Sequence, residues 1–178
     1  MKKTIIHLAL VLFLVSAIVA LALGFVDHLT APNIAKIAEE KLNTAMSEVL
    51  PATAYAPVEY SGDDASINEI YKADDLGYVV KATVSGSQGN IGIIVGINND
   101  LTCSGISIVE SSETSGMGAI ASSTGKDGQT FREQFVGASA PAVDKDGGEI
   151  AAITGATITS RAVCTAVNNA IDAVKSLG

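Results

Sequence analysis

The sequence predicts an α+β protein: a single N-terminal transmembrane helix, then an extracytoplasmic domain with a twisted, mainly antiparallel sheet and packing helices. Three observations carry this. Residues Ile5–Val26 run for 22 positions without Asp, Glu, Lys or Arg. Three runs rich in Val, Ile and Gly lie between residues 77 and 111, separated by turn-forming Gly, Asn and Asp. From Val163 to Leu177, apolar residues recur at i, i+3, i+4 and i+7. At 178 residues the chain has room for one ordinary domain plus an anchor.

The anchor comes first. A membrane-spanning helix needs roughly 20 predominantly apolar residues, and "IIHLALVLFLVSAIVALALGFV" supplies them. Lys2 and Lys3 precede it and Asp27 is the first charge after it. The excess of positive charge before the span keeps the N-terminus in the cytoplasm and sends the remainder outward. Ala20-Leu21-Ala22 resembles a signal-peptide cleavage site, but the apolar run exceeds the roughly 7–15 residues of a signal core, so a retained anchor over residues 1–28 is expected. His7 lies inside this run and is given no catalytic role.

Residues 29–51 read as a connecting amphipathic helix. Thr30 is placed to cap it, Pro32 suits its first turn and Pro51 stops it. Ile34, Ile37, Leu42, Ala45, Met46 and Val49 fall at helical spacing. Residues 52–178 form the domain proper. Its first part, to about Ser66, is polar and irregular, with Pro57 and "SGDD". Then "GYVVKATVSG" (Gly77–Gly86), "NIGIIVGIN" (Asn90–Asn98) and "CSGISIVES" (Cys103–Ser111) predict an antiparallel meander. Residues 113–128 are small and polar. Phe131 and Phe135, four apart, predict a short helix, "DKDGG" (Asp144–Gly148) a turn, and the series from Val163 a closing helix with Lys175 in its last turn.

Composition excludes several functions. There are 11 Lys and Arg against 19 Asp and Glu, and without Lys2 and Lys3 the balance is 9 against 19. Such acidity argues against nucleic acid or an anionic lipid surface as partner. Cys103 and Cys164 stand 61 residues apart, and His28 is the only histidine beyond the apolar run. No zinc, haem or iron–sulfur motif and no Ser–His–Asp or Cys–His set can be assembled from this inventory. A disulfide is permitted outside the cytoplasm, but Cys164 lies on the apolar face of the closing helix and reads as a core residue. "GSQGNIG" (Gly86–Gly92) sits between strands and reads as a hairpin rather than a phosphate loop.

What remains is "AAITGATITSRAV" (Ala151–Val163), with three threonines and a serine at the entrance to the closing helix. Thr157 and Thr159 can cap that helix. The unpaired amides and positive dipole end of a helix N-terminus also suit a phosphate. Gly155 permits a tight turn and Ala156 leaves room alongside. The residues alone leave both readings open, an elaborate cap being the commoner.

"TGATITS" resembles the S/T-G-A-T-x-S/T flavinylation motif of the FMN-binding domain family, which includes the G subunits of Rnf ion-translocating electron-transport complexes and the C subunit of sodium-translocating NADH:quinone reductase. The resemblance to the Rnf G pattern covers nearly the whole chain: the anchor, the helix ending "VLP", "GYVVKATVSGSQGNIGIIVGINND", "ETSGMG" (Glu113–Gly118) against the family's E-T-P-G-L-G, "FREQFVG", and "DKDGGEIAAITGATITSRAV". The short length favours Rnf G over the longer quinone-reductase relative. The family motif usually carries Asp six residues before its modified threonine; here that position is Ala151, with Glu149 two residues further back.

The resemblance implies FMN joined through its phosphate to Thr157 Oγ1 by a separate flavin transferase that uses FAD, with Thr154, Gly155, Ala156 and Thr159 flanking the tether. It also implies that the segment from Glu113 approaches the flavin ring: Thr114 hydrogen-bonding its polar edge, Met117 packing on its face, Gly118 allowing close approach. Glu113, a carboxylate unfavourable beside a reduced flavin, is expected to hold the loop rather than touch the ring. By the same resemblance the chain is an electron-transfer subunit. It works with other subunits of an Rnf-type complex that couples electron flow between ferredoxin and NAD⁺ to Na⁺ or H⁺ movement, and it is not catalytically complete alone. Ala151 keeps one alternative in play, a flavin-free, membrane-anchored binding or sensing module.

Overall fold

The computed structural model describes residues 2–113 and 118–177. The chain forms two compact units, residues 1–40 and 41–178. Helix α1 (Lys2–Val49) accounts for the first unit and enters the second. Among the described residues it is the one helix long and apolar enough to cross a membrane. Its large apolar side chains from Ile5 to Val26 are exposed, the reverse of a core helix. The fresh start predicted at Thr30 is absent. The Thr30 hydroxyl donates to Val26 O at 2.7 Å, a bond back into its own helix rather than a cap. Pro32 withholds one N–H from the ladder, and the Ala-, Leu- and Lys-rich flanks are strong enough helix formers to carry the helix through.

The second unit is built on one five-stranded sheet in the order β1 (Tyr55–Val58), β2 (Ile67–Ala73), β3 (Gly77–Ser85), β4 (Asn90–Asn98), β5 (Cys103–Ser111), every neighbour antiparallel. The predicted meander is β3–β5. Strand β1 corrects the reading of residues 52–66 as irregular throughout, and β2 lies just beyond them. β1 is a four-residue edge strand containing Pro57, which only an edge tolerates. A register shift between Ile67 and Glu69 puts Ile67 and Ile70 on one face, so β2 lacks the period of two that marks a strand.

Both faces of the sheet are covered. On one, Val80, Ala82, Ile93, Val95 and Ile97 pack with Val163, Val167 and Ile171 of helix α3 (Thr157–Lys175) and with Phe131 and Phe135. These two rings meet edge to face at 5.4 Å and 77°; Phe131 lies on helix α2 (Lys126–Glu133) and Phe135 just beyond its end. On the other face Ala73, Val79 and Ile94 pack against Ala45, Met46, Val49 and Leu50. This two-sided burial explains why β4 reads as an unbroken apolar run. Each fully buried Val or Ile contributes about 1.5–3 kcal/mol.

The end of α1 is seated closely on the sheet. Val49 O accepts from Ser104 Oγ at 2.6 Å, above the paired Gly96 and Gly105, and a Cβ at Gly96 would meet Val49 O at 2.7 Å. Both cysteines are buried and free, so the pairing that the sequence permits is not formed. Burial pushes the Cys103 thiol up to about 12 and, with the Asp146 charge, the Cys164 thiol up to about 11.

Candidate functional site

Helix α3 begins at Thr157, which overturns the reading of Thr157 and Thr159 as caps. The N-cap position is Ala156, with no side-chain oxygen to offer. The amides of the first turn therefore lack both an intrahelical acceptor and a side-chain cap. The turn before them is made by Gly155 at φ +77° and closed by Ala156 N donating to Ile153 O at 2.9 Å. Buried Ser160 stitches it to the helix: its hydroxyl accepts from Ile153 N at 3.1 Å and donates to Ala156 O at 3.0 Å.

The three threonines are not equivalent. Thr154 is exposed on the turn. Thr159 is 1 % exposed, and its hydroxyl donates to Glu113 Oε2 at 2.9 Å. Thr157 is half-buried, and its Oγ1 accepts from Lys145 Nζ at 2.9 Å. A cleft of about 480 Å³ opens over this first turn, floored by Gly155, Ala156 and Thr157, with Lys145 on one side and the hairpin residues Ser87 and Gln88 on another. Its size falls within the roughly 300–1,000 Å³ of small-molecule and cofactor sites. Ile158 lines it as well, an apolar side chain 57 % exposed.

Glu113 joins the walls. Oε1 accepts from the amides of Ser87 at 2.7 Å and Gln88 at 3.1 Å, while Oε2 takes the Thr159 hydroxyl. Burial opposes ionisation of this carboxyl, but the hydrogen bonds from Gln88, Thr159, Ser87 and Gly89 outweigh it and hold Glu113 below the usual carboxylate range. Gly86 and Gly118 flank the carboxylate. A Cβ at Gly118 would meet Oε2 at 2.6 Å, so this glycine makes room for Glu113. Glu113 thus clasps the β3–β4 hairpin to the start of α3. Thr114 and Met117 lie outside the described residues.

Lys145, which no sequence pattern singles out, stands on a short 3₁₀ turn (Asp144–Asp146) closed by Gly147 at φ +84°. Asp144 Oδ1 accepts from Lys145 N at 2.8 Å and Ala152 N at 3.3 Å. Arg161 of α3 grips Asp146 with two hydrogen bonds of 2.6 Å, and these hold the Asp146 carboxyl below its ordinary range. At the position where the family motif carries Asp, the backbone of Ala151 is held by Gln134, whose Oε1 accepts from Ala151 N at 2.7 Å. Glu149 is exposed. The site thus presents a hydroxyl, a cation and first-turn amides around one cleft, a donor set suited to a phosphoryl group.

Comparison with known proteins agrees with this chemistry. Residues 86–172 match the FMN-binding domain family and residues 1–49 the RnfG N-terminal region. The G subunit of the Na⁺-translocating ferredoxin:NAD⁺ oxidoreductase complex of Acetobacterium woodii is 34 % identical over 98 % of this chain and 94 % of its own length. The G subunit of the ion-translocating oxidoreductase complex of Methanosarcina acetivorans is 33 % identical, covering 98 % and 97 %. The proton-translocating counterpart from Clostridium ljungdahlii is 39 % identical over 56 % of this chain and 54 % of its own. With its FMN-binding domain and its end-to-end similarity to these proteins, the chain belongs to the family of G subunits of ion-translocating oxidoreductase (Rnf) complexes.

Proposed function

We propose that this chain is a membrane-anchored electron carrier whose FMN is esterified through its phosphate to Thr157 Oγ1. Residues 1–28 cross the membrane with the N-terminus in the cytoplasm, residues 29–51 connect, and residues 52–178 form the flavin domain outside. The chain works with the other subunits of an Rnf-type complex, which passes electrons between ferredoxin and NAD⁺ and couples that flow to Na⁺ or H⁺ movement. FMN supplies the redox chemistry when bound.

One observation carries the tether: of three threonines at the helix entrance, Thr157 alone is both half-buried at the cleft floor and in contact with a cation, Lys145 Nζ at 2.9 Å. Thr159 is committed to Glu113, and Thr154 is not among the residues lining the cleft. The remaining lining residues then have distinct tasks. The first-turn amides face the phosphate, Glu113 fixes the hairpin wall, and Ile158 offers apolar surface to the bound group.

The test is co-expression with a flavin transferase, wild type beside Thr157→Ala. Fluorescence on a denaturing gel and a mass gain of FMN minus water are expected in the wild type and lost in the variant. Fluorescence that survives in the variant moves the tether to another hydroxyl. A wild type left unmodified by an active transferase refutes the covalent reading and favours a flavin-free binding module.

A further inference from the structure

We propose that Lys145 is the phosphoryl-binding residue of this site. Its ammonium directs modification to Thr157 rather than Thr154 or Thr159, and remains as the counter-ion of the phosphodiester. The proposal rests on the covalent reading above and adds to it the group that selects the hydroxyl.

The argument begins with placement. A lysine on an exposed turn ordinarily wanders, because holding its long side chain in one place costs rotamer entropy. Here the turn is fixed from three directions. Arg161 holds Asp146 with a two-bond fork, Asp144 Oδ1 takes the Lys145 amide, and Val143 is bridged to Ile150. The fork ties the turn to α3, the same helix that carries Thr157, so cation and hydroxyl share one frame. Lys145 Nζ donates to Thr157 Oγ1. It occupies a lone pair of that oxygen and leaves the hydroxyl's own proton free to depart.

The chemistry follows. In the transfer, Thr157 Oγ1 forms a bond to the flavin-side phosphorus of flavin adenine dinucleotide. The diphosphate P–O bond to the adenylate breaks, AMP leaves, and the hydroxyl proton goes with its phosphate; no electrons are exchanged. Negative charge grows on Oγ1 as its proton departs and on the phosphoryl oxygens as the new bond forms, and a fixed cation beside Oγ1 stabilises both. Among the described residues, no cation is hydrogen-bonded to Thr154 or Thr159. Thr159 already donates to a carboxylate, an environment that repels a phosphate. After transfer the diester keeps one negative charge, between Lys145 and the amides of the first turn.

The test follows the initial rate of FMN loading by intact mass, using full-length chain in detergent, purified flavin transferase and FAD. Wild type is compared with Lys145→Gln, Lys145→Arg and Arg161→Gln, and the modified residue is mapped by peptide mass. Loss of a hydrogen bond to a charged group predicts loading slowed by about 10- to 100-fold in Lys145→Gln. Lys145→Arg is expected to recover most of the rate, and Arg161→Gln to fall between. Wild-type loading should slow with added salt, and that of Lys145→Gln should not. Unchanged thermal unfolding across the set excludes a folding effect; a variant that unfolds is replaced by Lys145→Met, of similar length and without charge. Wild-type rates at Thr157 in Lys145→Gln, or no recovery in Lys145→Arg with the fold intact, overturn the Lys145 role and leave the covalent reading standing. A wild type modified at another residue or not at all removes both.

Discussion

Replacing Glu113 by Ala tests whether the clasp between hairpin and helix supports the cleft. The carboxylate accepts from two hairpin amides and from the Thr159 hydroxyl. The amides sit at an exposed tip and regain water when the carboxylate is removed, so their loss costs little. Thr159 differs: it is 1 % exposed, and a buried hydroxyl left without its acceptor costs about 1–3 kcal/mol. Glu113→Ala is therefore expected to destabilise the domain by about 2–3 kcal/mol. In a Thr159→Val background no hydroxyl remains to be stranded, and the same substitution should cost about 1 kcal/mol or less. The assay is urea unfolding of the full chain in detergent, followed by far-ultraviolet circular dichroism, with all four members of the cycle. Additivity within about 0.5 kcal/mol would refute the reasoning.

The same bond has a pH signature. Glu113 titrates below its unfolded value in the folded chain. Its contribution is thus fully present above the unfolded carboxyl pKa, about 4.3, and is lost as pH falls through the lower folded value. The gap in stability between wild type and Glu113→Ala should be constant from pH 7 to about 5 and narrow below that. A gap that stays constant on acidification would assign the effect to packing rather than to charge.

Two further outcomes follow from the packing. Gly96→Ala places a Cβ against Val49 O and the Ser104 hydroxyl, so lifting the end of α1 from the sheet should cost about 1–3 kcal/mol in the same urea assay. Cys103 and Cys164, buried with thiols pushed up to about 12 and about 11, should resist a maleimide at pH 7 in the folded chain and both react in denaturant; protection that persists in denaturant without reductant would mean a disulfide after all.

The sequence makes legible whatever depends on a periodic pattern or a fixed order of residues. β3 to β5 are long, β-branched and separated by turn residues, and α3 keeps its apolar stripe from Val163 onward. β2 loses its alternation to a bulge and β1 holds only four residues with a proline, so neither raises a periodic signal. The hydroxyl-rich entrance to α3 is visible for the same reason as α3 itself, since it immediately precedes a recognisable helix. The residues that tell its threonines apart are not local. Glu113 reaches Thr159 across 46 residues, and Lys145 reaches Thr157 across 12 through a turn whose position depends on Arg161. A helix start by itself announces a cap or an anion seat without deciding between them. Here the decision comes from the chain's return paths. One brings a carboxylate that occupies Thr159, the other a cation that leaves Thr157 facing an open cleft. Exchanging those two charges would leave every local feature of "TGATITS" intact and, on this reasoning, invert which hydroxyl is fit to carry a phosphate.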